Sequence, residues 1–99
     1  MVHRPDKEQS AEIHTAIRRV LLQSWDPIGI GDEPHAQDEY DGYIPEIYKL
    51  LLKRAPEKKI VDYLLWVVTE RMGFTRSETA IAHTNTTVQE LIRIPFPAD

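Results

Sequence analysis

His35, Asp38 and Glu39 stand three and four residues apart, a spacing that on a helix sets one imidazole and two carboxylates on the same face. Such a trio could ligate a divalent transition metal, or move protons near neutral pH, where imidazole titrates. With Asp32 it forms the set that a divalent-metal-dependent protein would use. These residues lie in a longer acidic run. Between Arg19 and Lys49 there is no Lys or Arg, while Asp26, Asp32, Glu33, Asp38, Glu39, Asp41 and Glu46 all fall there. Carboxylates that crowded either meet a cation or repel one another.

Calcium is the first cation to test, and the spacing fails. An EF-hand loop needs oxygen ligands at alternating positions before a central Gly and a Glu at the twelfth. A loop opening at Asp26 puts Gly31 at the sixth place, but Ile28 and Ile30 at the third and fifth and Gln37 at the twelfth. Opening it at Asp32 puts Pro34 and Ala36 at ligand places. The chain has no cysteine, which removes thiolate nucleophiles, disulfides and Cys-ligated zinc or iron–sulfur sites. No motif supplies a nucleophile or oxyanion site beside His35, so neither an enzyme nor a cofactor is expected.

Trp25-Asp26-Pro27 supports two readings. In the structural one, Trp25 packs at the end of a first helix and Asp26 caps the following turn through its side chain. In the functional one, Trp25 is partly exposed beside the carboxylates as an aromatic anchor for a partner. Tyr40 and Tyr43 divide the same way. They either seal the core edge with wet hydroxyls or join their acidic neighbours in a recognition patch.

The elements that must position these residues are helical. Ile13, Ile17, Val20, Leu21 and Ser24 recur at spacings of three and four, predicting an amphipathic helix over about 7–25. Asp6 with Gln9 offers a capping box, and Pro27 ends the helix. Residues 26–34 read as a loop. A second helix is expected over about 35–53, broken near 42–45 by Gly42 and Pro45. Pro56 suits the first position of a third helix, which Ile60, Val61, Leu64, Leu65, Val68 and Met72 carry to a C-cap at Gly73. Trp66 and Val67 make this helix apolar around much of its circumference, so it should be the most buried. Thr75 with Glu78 suggests a capping box for a last helix, with Ile81, Val88, Leu91 and Ile92 facing inward. Thr84 to Thr87 threaten to split it within residues 76–94. Ninety-nine residues at 41% hydrophobic content then predict an all-α, compact four-helix single domain, up to five helices with the breaks, with antiparallel neighbours. Residues 1–6 and 95–99 are expected to be flexible tails.

The strings Ile17 to Ile30, Glu39 to Leu51 and Ile60 to Phe74 resemble a family of small, uncharacterised bacterial helical proteins carrying a Trp-Asp-Pro-Ile-Gly signature. The resemblance spans roughly residues 13–74. It implies a helical fold and a bacterial cytoplasmic setting, and it transfers no catalytic residue.

Charge completes the expectation. A net charge of −4 argues against nucleic acid, and no apolar run approaches the roughly 20 residues of a membrane span. The first residues lack a signal-peptide core, so a cytoplasmic location is expected. Directly after the acidic run, Lys49, Lys53, Arg54, Lys58 and Lys59 make a basic segment opposed only by Glu57. The chain therefore reads as a protein-binding module of inhibitor or immunity type, docking another protein with a basic surface. Trp25, Asp26, Asp32, Glu33, Asp38, Glu39, Tyr40, Asp41 and Tyr43 are its candidate contacts. The alternatives are the metal-dependent protein and a purely structural homodimer in which acidic and basic regions of two copies meet.

Overall fold

A computed structural model describes residues 6–96; the expected tails at 1–5 and 97–99 lie outside them. The described residues fold into four α-helices without strands: α1 (Lys7–Val20), α2 (Ile44–Leu52), α3 (Glu57–Trp66) and α4 (Glu78–Leu91). Helix α1 packs against α2 and α4, and α3 packs against α4 and α2.

The start of α1 is the expected capping box. The Asp6 carboxylate accepts the Gln9 N–H at 2.8 Å, and the Gln9 side chain accepts the Asp6 N–H at 2.9 Å. Two amides that the helix cannot pair internally are satisfied together. After Val20 the helix widens into a π turn, Leu21–Trp25, where the Asp26 N–H reaches back five residues to the Leu21 carbonyl at 2.8 Å. Ile13, Ile17, Leu21, Leu22 and Trp25 are buried, while Val20 and Ser24 lie at the core edge.

The second segment departs from the expected broken helix. Residues 34–43 hold only short 3₁₀ turns, Pro34–Ala36 and Asp41–Tyr43, and α2 begins at Ile44. Two physical reasons combine. Tyr40 is drawn inward to 1% exposure, which turns the chain away from a helical path, and Pro45 sits in the first turn of α2, where its missing N–H has no helical acceptor to lose. The C-terminal tail also differs: Phe96 packs on Tyr48, ring centroids 5.8 Å apart, so Pro95 and Phe96 follow the body of the fold.

Helix α3 starts one residue late, because Pro56 takes an extended ψ of 145° and acts as the N-cap. Ile60, Leu64, Leu65, Val67 and Val68 are buried, but Trp66 is 49% exposed. A helix can turn only one side inward, and the line through Ile60, Leu64 and Val67 leaves Trp66 facing out. A second π turn, Val67–Arg71, ends at Gly73 with φ +75°.

Helix α4 is capped by Ser77, whose hydroxyl accepts the Ala80 N–H at 3.1 Å, in place of the expected Thr75. It runs unbroken through Thr84 to Thr87. Thr84 and Thr87 are fully buried, and the Thr87 hydroxyl donates to the His83 carbonyl at 2.7 Å, which satisfies it inside the helix. Burial at these threonines overrides their low helix propensity. Ile81 is half-buried, and Ile92, expected inside, lies exposed just beyond the last turn.

Candidate functional site

The segment from Trp25 to Tyr43 has two sides with different chemistry. The inner side is built on Asp26, which sits in the left-handed region at φ +32° and closes α1. Its Oδ1 accepts the Ile30 N–H at 2.8 Å and the Tyr40 hydroxyl at 2.8 Å, while Oδ2 accepts the Gly31 N–H at 2.9 Å. The Tyr40 oxygen in turn accepts the Ile28 N–H at 3.2 Å. One carboxylate and one phenol thus pair three amides of a loop that has no regular structure of its own.

Glycine is required at Gly31 by close approach. A Cβ there would lie 2.6 Å from the Leu22 carbonyl oxygen and 3.0 Å from Asp26 Oδ2. The Trp-Asp-Pro-Ile-Gly-Ile-Gly string is therefore a device that stops a helix and ties down the loop behind it.

Electrostatics follow the same geometry. Burial pushes the Asp26 carboxyl up, but the bonds from Ile30, Tyr40 and Gly31 outweigh it and hold the group below the ordinary Asp value. Burial, opposed only by the Ile28 N–H and reinforced by the Asp26 charge, drives the Tyr40 phenol well above its usual range. Both groups are locked in opposite states near neutrality, Asp26 ionised and Tyr40 neutral. Trp25, 2% exposed, packs edge-on against Tyr40 at 5.4 Å between centroids and Tyr43 at 6.2 Å.

Four of the nine expected contact residues are accordingly engaged within the fold. Trp25 packs in the core and Asp26 caps the turn behind it, as the structural reading of the Trp-Asp-Pro string expects; the exposed-anchor reading is corrected for Trp25 and Tyr40, and the Tyr40 hydroxyl is bonded to Asp26 instead of wet. Asp26 spends its oxygens on its own loop. Asp41 is paired with Arg18 of α1, whose Nε donates to Oδ1 at 2.9 Å and whose Nη2 donates to Oδ2. Sequence reasoning found no counter-charge because Arg18 lies outside the acidic run and is brought to it by the α1–α2 packing.

The outer side is what remains. Asp32, Glu33, Asp38 and Glu39 are exposed, and Tyr43 is half-buried. The ion pairs among the described residues are Arg18–Asp41 and Lys58–Asp62, so none of these four has an ion-pair partner there. The metal arrangement is also corrected. Because residues 34–43 do not form an α-helix, His35, Asp38 and Glu39 lose the common face that the spacing implied. Among the described residues no three His, Asp or Glu side chains are grouped to hold a metal ion.

Behind Trp25 lies a feature that the sequence did not signal. A cavity of about 380 Å³ opens between the Trp25–Pro27 corner, Val68, Phe74 and the first turn of α4. It joins residues some 50 positions apart, which no local pattern could have linked. No helix of the described residues is long and apolar enough to cross a membrane. Comparison with protein-family models, curated proteins and solved structures returned no match.

Proposed function

We propose that this domain is a protein-binding module of inhibitor or immunity type that docks a basic protein surface through Asp32, Glu33, Asp38 and Glu39. The single observation behind this reading is that four exposed carboxylates without ion-pair partners among the described residues ride on a loop pinned from beneath by Asp26 and Tyr40. A pinned loop presents charge without a large ordering cost on binding. Clustered like charge speeds encounter with an oppositely charged partner, and most strongly at low salt. No enzymatic activity belongs to this reading.

The test is a pull-down from the native cell at low ionic strength, comparing the parent chain with a D38K/E39K variant. Asp41 is left intact because its reversal would break the Arg18 pair. A basic protein should co-purify with the parent and be lost from the variant, with circular dichroism unchanged. Equal recovery of that protein by both would refute the reading.

A second reading has its own observation. Lys49, Lys53, Arg54 and Lys59 are exposed and likewise lack ion-pair partners among the described residues, so acidic and basic regions of two copies could meet head to tail. Concentration-dependent sedimentation that collapses at high salt would favour it.

A further inference from the structure

Trp66 is 49% exposed on the outer face of α3 and stacks on the half-buried Tyr63 one turn earlier, with ring centroids 6.1 Å apart and planes inclined by 25°. Large aromatic surface left in water favours association. Lys59, Tyr63, Trp66 and Glu70 follow one another at spacings of four, three and four residues, the repeat of a helix–helix seam. That line faces away from Ile60, Leu64 and Val67, which fill the core. Lys59 and Glu70 are exposed and have no ion-pair partner among the described residues, whereas Asp62 on the same side is held by Lys58 at 2.9 Å.

Charge decides what can cover this face. Burial raises the Tyr63 phenol above its ordinary value, Glu46 and Tyr43 raise it further and Arg71 lowers it, so charges of both signs lie beside the ring. With Lys59 and Glu70 along the helix the rim is mixed and balanced, which gives neither a strongly basic nor a strongly acidic partner an advantage. A second copy is different. Turned antiparallel, the line on α3 meets its own image: Trp66 falls opposite Tyr63 of the other copy and Lys59 opposite Glu70, each pairing made twice by symmetry. We propose that the chain forms a two-fold homodimer in which the two α3 helices pack antiparallel on their Tyr63–Trp66 faces, closed at each end by Lys59 of one copy against Glu70 of the other. This contact uses neither the acidic loop nor the head-to-tail geometry considered above. A single helix pair buries less than a standard interface, so association is expected at concentrations on the order of 0.1 mM.

Sedimentation of the full chain over concentrations spanning about 0.1 mM should show monomer passing to dimer and to nothing larger. Because the centre of the contact is aromatic, the dimer should persist at high salt, where a head-to-tail contact between acidic and basic regions would dissolve. Trp66→Ala should weaken it roughly tenfold or more. Lys59→Glu and Glu70→Lys, both at exposed positions and checked for folding by circular dichroism, should each weaken it roughly three- to tenfold by setting like charges opposite each other. The double variant K59E/E70K should recover the parental affinity, because its charges are exchanged and again opposed. In ¹⁵N-labelled protein the Trp66 indole signal should move with concentration, while that of buried Trp25 stays in place. A monomer at millimolar concentration, larger open assemblies, dissociation at high salt, an unchanged dimer in Trp66→Ala, or a double variant no tighter than the single ones would each overturn the proposal.

Discussion

Helices α1 and α3 leave the core by the same local route and arrive at opposite outcomes. Each widens into a π turn, Leu21–Trp25 in one and Val67–Arg71 in the other, and each then reverses at a left-handed residue, Asp26 at φ +32° and Gly73 at φ +75°. After α3 the stop is made by backbone alone: the Met72 N–H meets the Val67 carbonyl and the Phe74 N–H meets the Val68 carbonyl, both at 2.9 Å. After α1 the matching backbone bond, Asp26 N–H to the Leu21 carbonyl at 2.8 Å, is joined by a side chain, Asp26, tied to Tyr40 fourteen residues on. The tryptophans follow suit. Trp25 is sealed beneath that knot, while Trp66 stacks on Tyr63 at 6.1 Å and stays half in solvent. A shared π turn and left-handed reversal say nothing about burial; the chain that returns over the end decides it.

This contrast can be broken most directly at the tryptophans. Trp25→Ala should lower stability by about 3–5 kcal/mol in urea denaturation, a large share of what a domain of this size possesses. Next comes Tyr40→Phe, which strips a charge-assisted bond from Asp26 and an acceptor from Ile28; a loss of about 1–3 kcal/mol is expected by the same measurement. Because the Tyr40 phenol is raised in the folded state, parent stability should also fall as pH climbs past about 10, and the phenylalanine variant should lose part of that decline.

A smaller effect is expected in acid. The Asp26 carboxyl is lowered by folding, so its contribution is complete above the ordinary Asp range near 4 and fades as pH falls through its folded value. An Asp26→Asn variant should be less stable at neutral pH and show a shallower acid slope in thermal melts. If both slopes coincide, the carboxylate is not what holds the loop. The smallest effect belongs to Trp66→Ala, expected within about 0.5 kcal/mol of the parent. A loss comparable to that of Trp25→Ala would erase the contrast between the two helix ends.

Periodicity carried most of the fold. Ile13, Ile17 and Leu21, like Ile60, Leu64 and Val68, repeat every four residues, and burial of such a stripe leaves one helix and one orientation. Boundaries were less legible where neighbouring residues competed for one role or burial outweighed propensity. Ser77 displaced Thr75 as a cap, and Thr84 and Thr87 stayed helical because they were buried. The candidate site was legible on its outer side and, on its inner side, in the packing of Trp25 and the turn capped by Asp26. Asp32, Glu33, Asp38 and Glu39 are exposed, with no ion-pair partner among the described residues, as their crowding in a stretch without Lys or Arg leads one to expect. The Tyr40 bond to Asp26 and the Asp41 pair with Arg18 depended on partners that sequence spacing does not display.

What the sequence determined by itself, then, is a bundle of amphipathic helices, an acidic connection between the first two, and a stop after Trp25. These follow from 3.6-residue periodicity, proline and glycine geometry, and charge, all of which act over a few residues. What only the tertiary structure decided is which acids are spent within the fold and which have no ion-pair partner among the described residues. Arg18 reaches Asp41, and Tyr40 reaches Asp26, because helix packing closes 23 and 14 residues of chain into contact. Hydrogen bonds and ion pairs form over ångströms of space, and no local rule of sequence measures that distance.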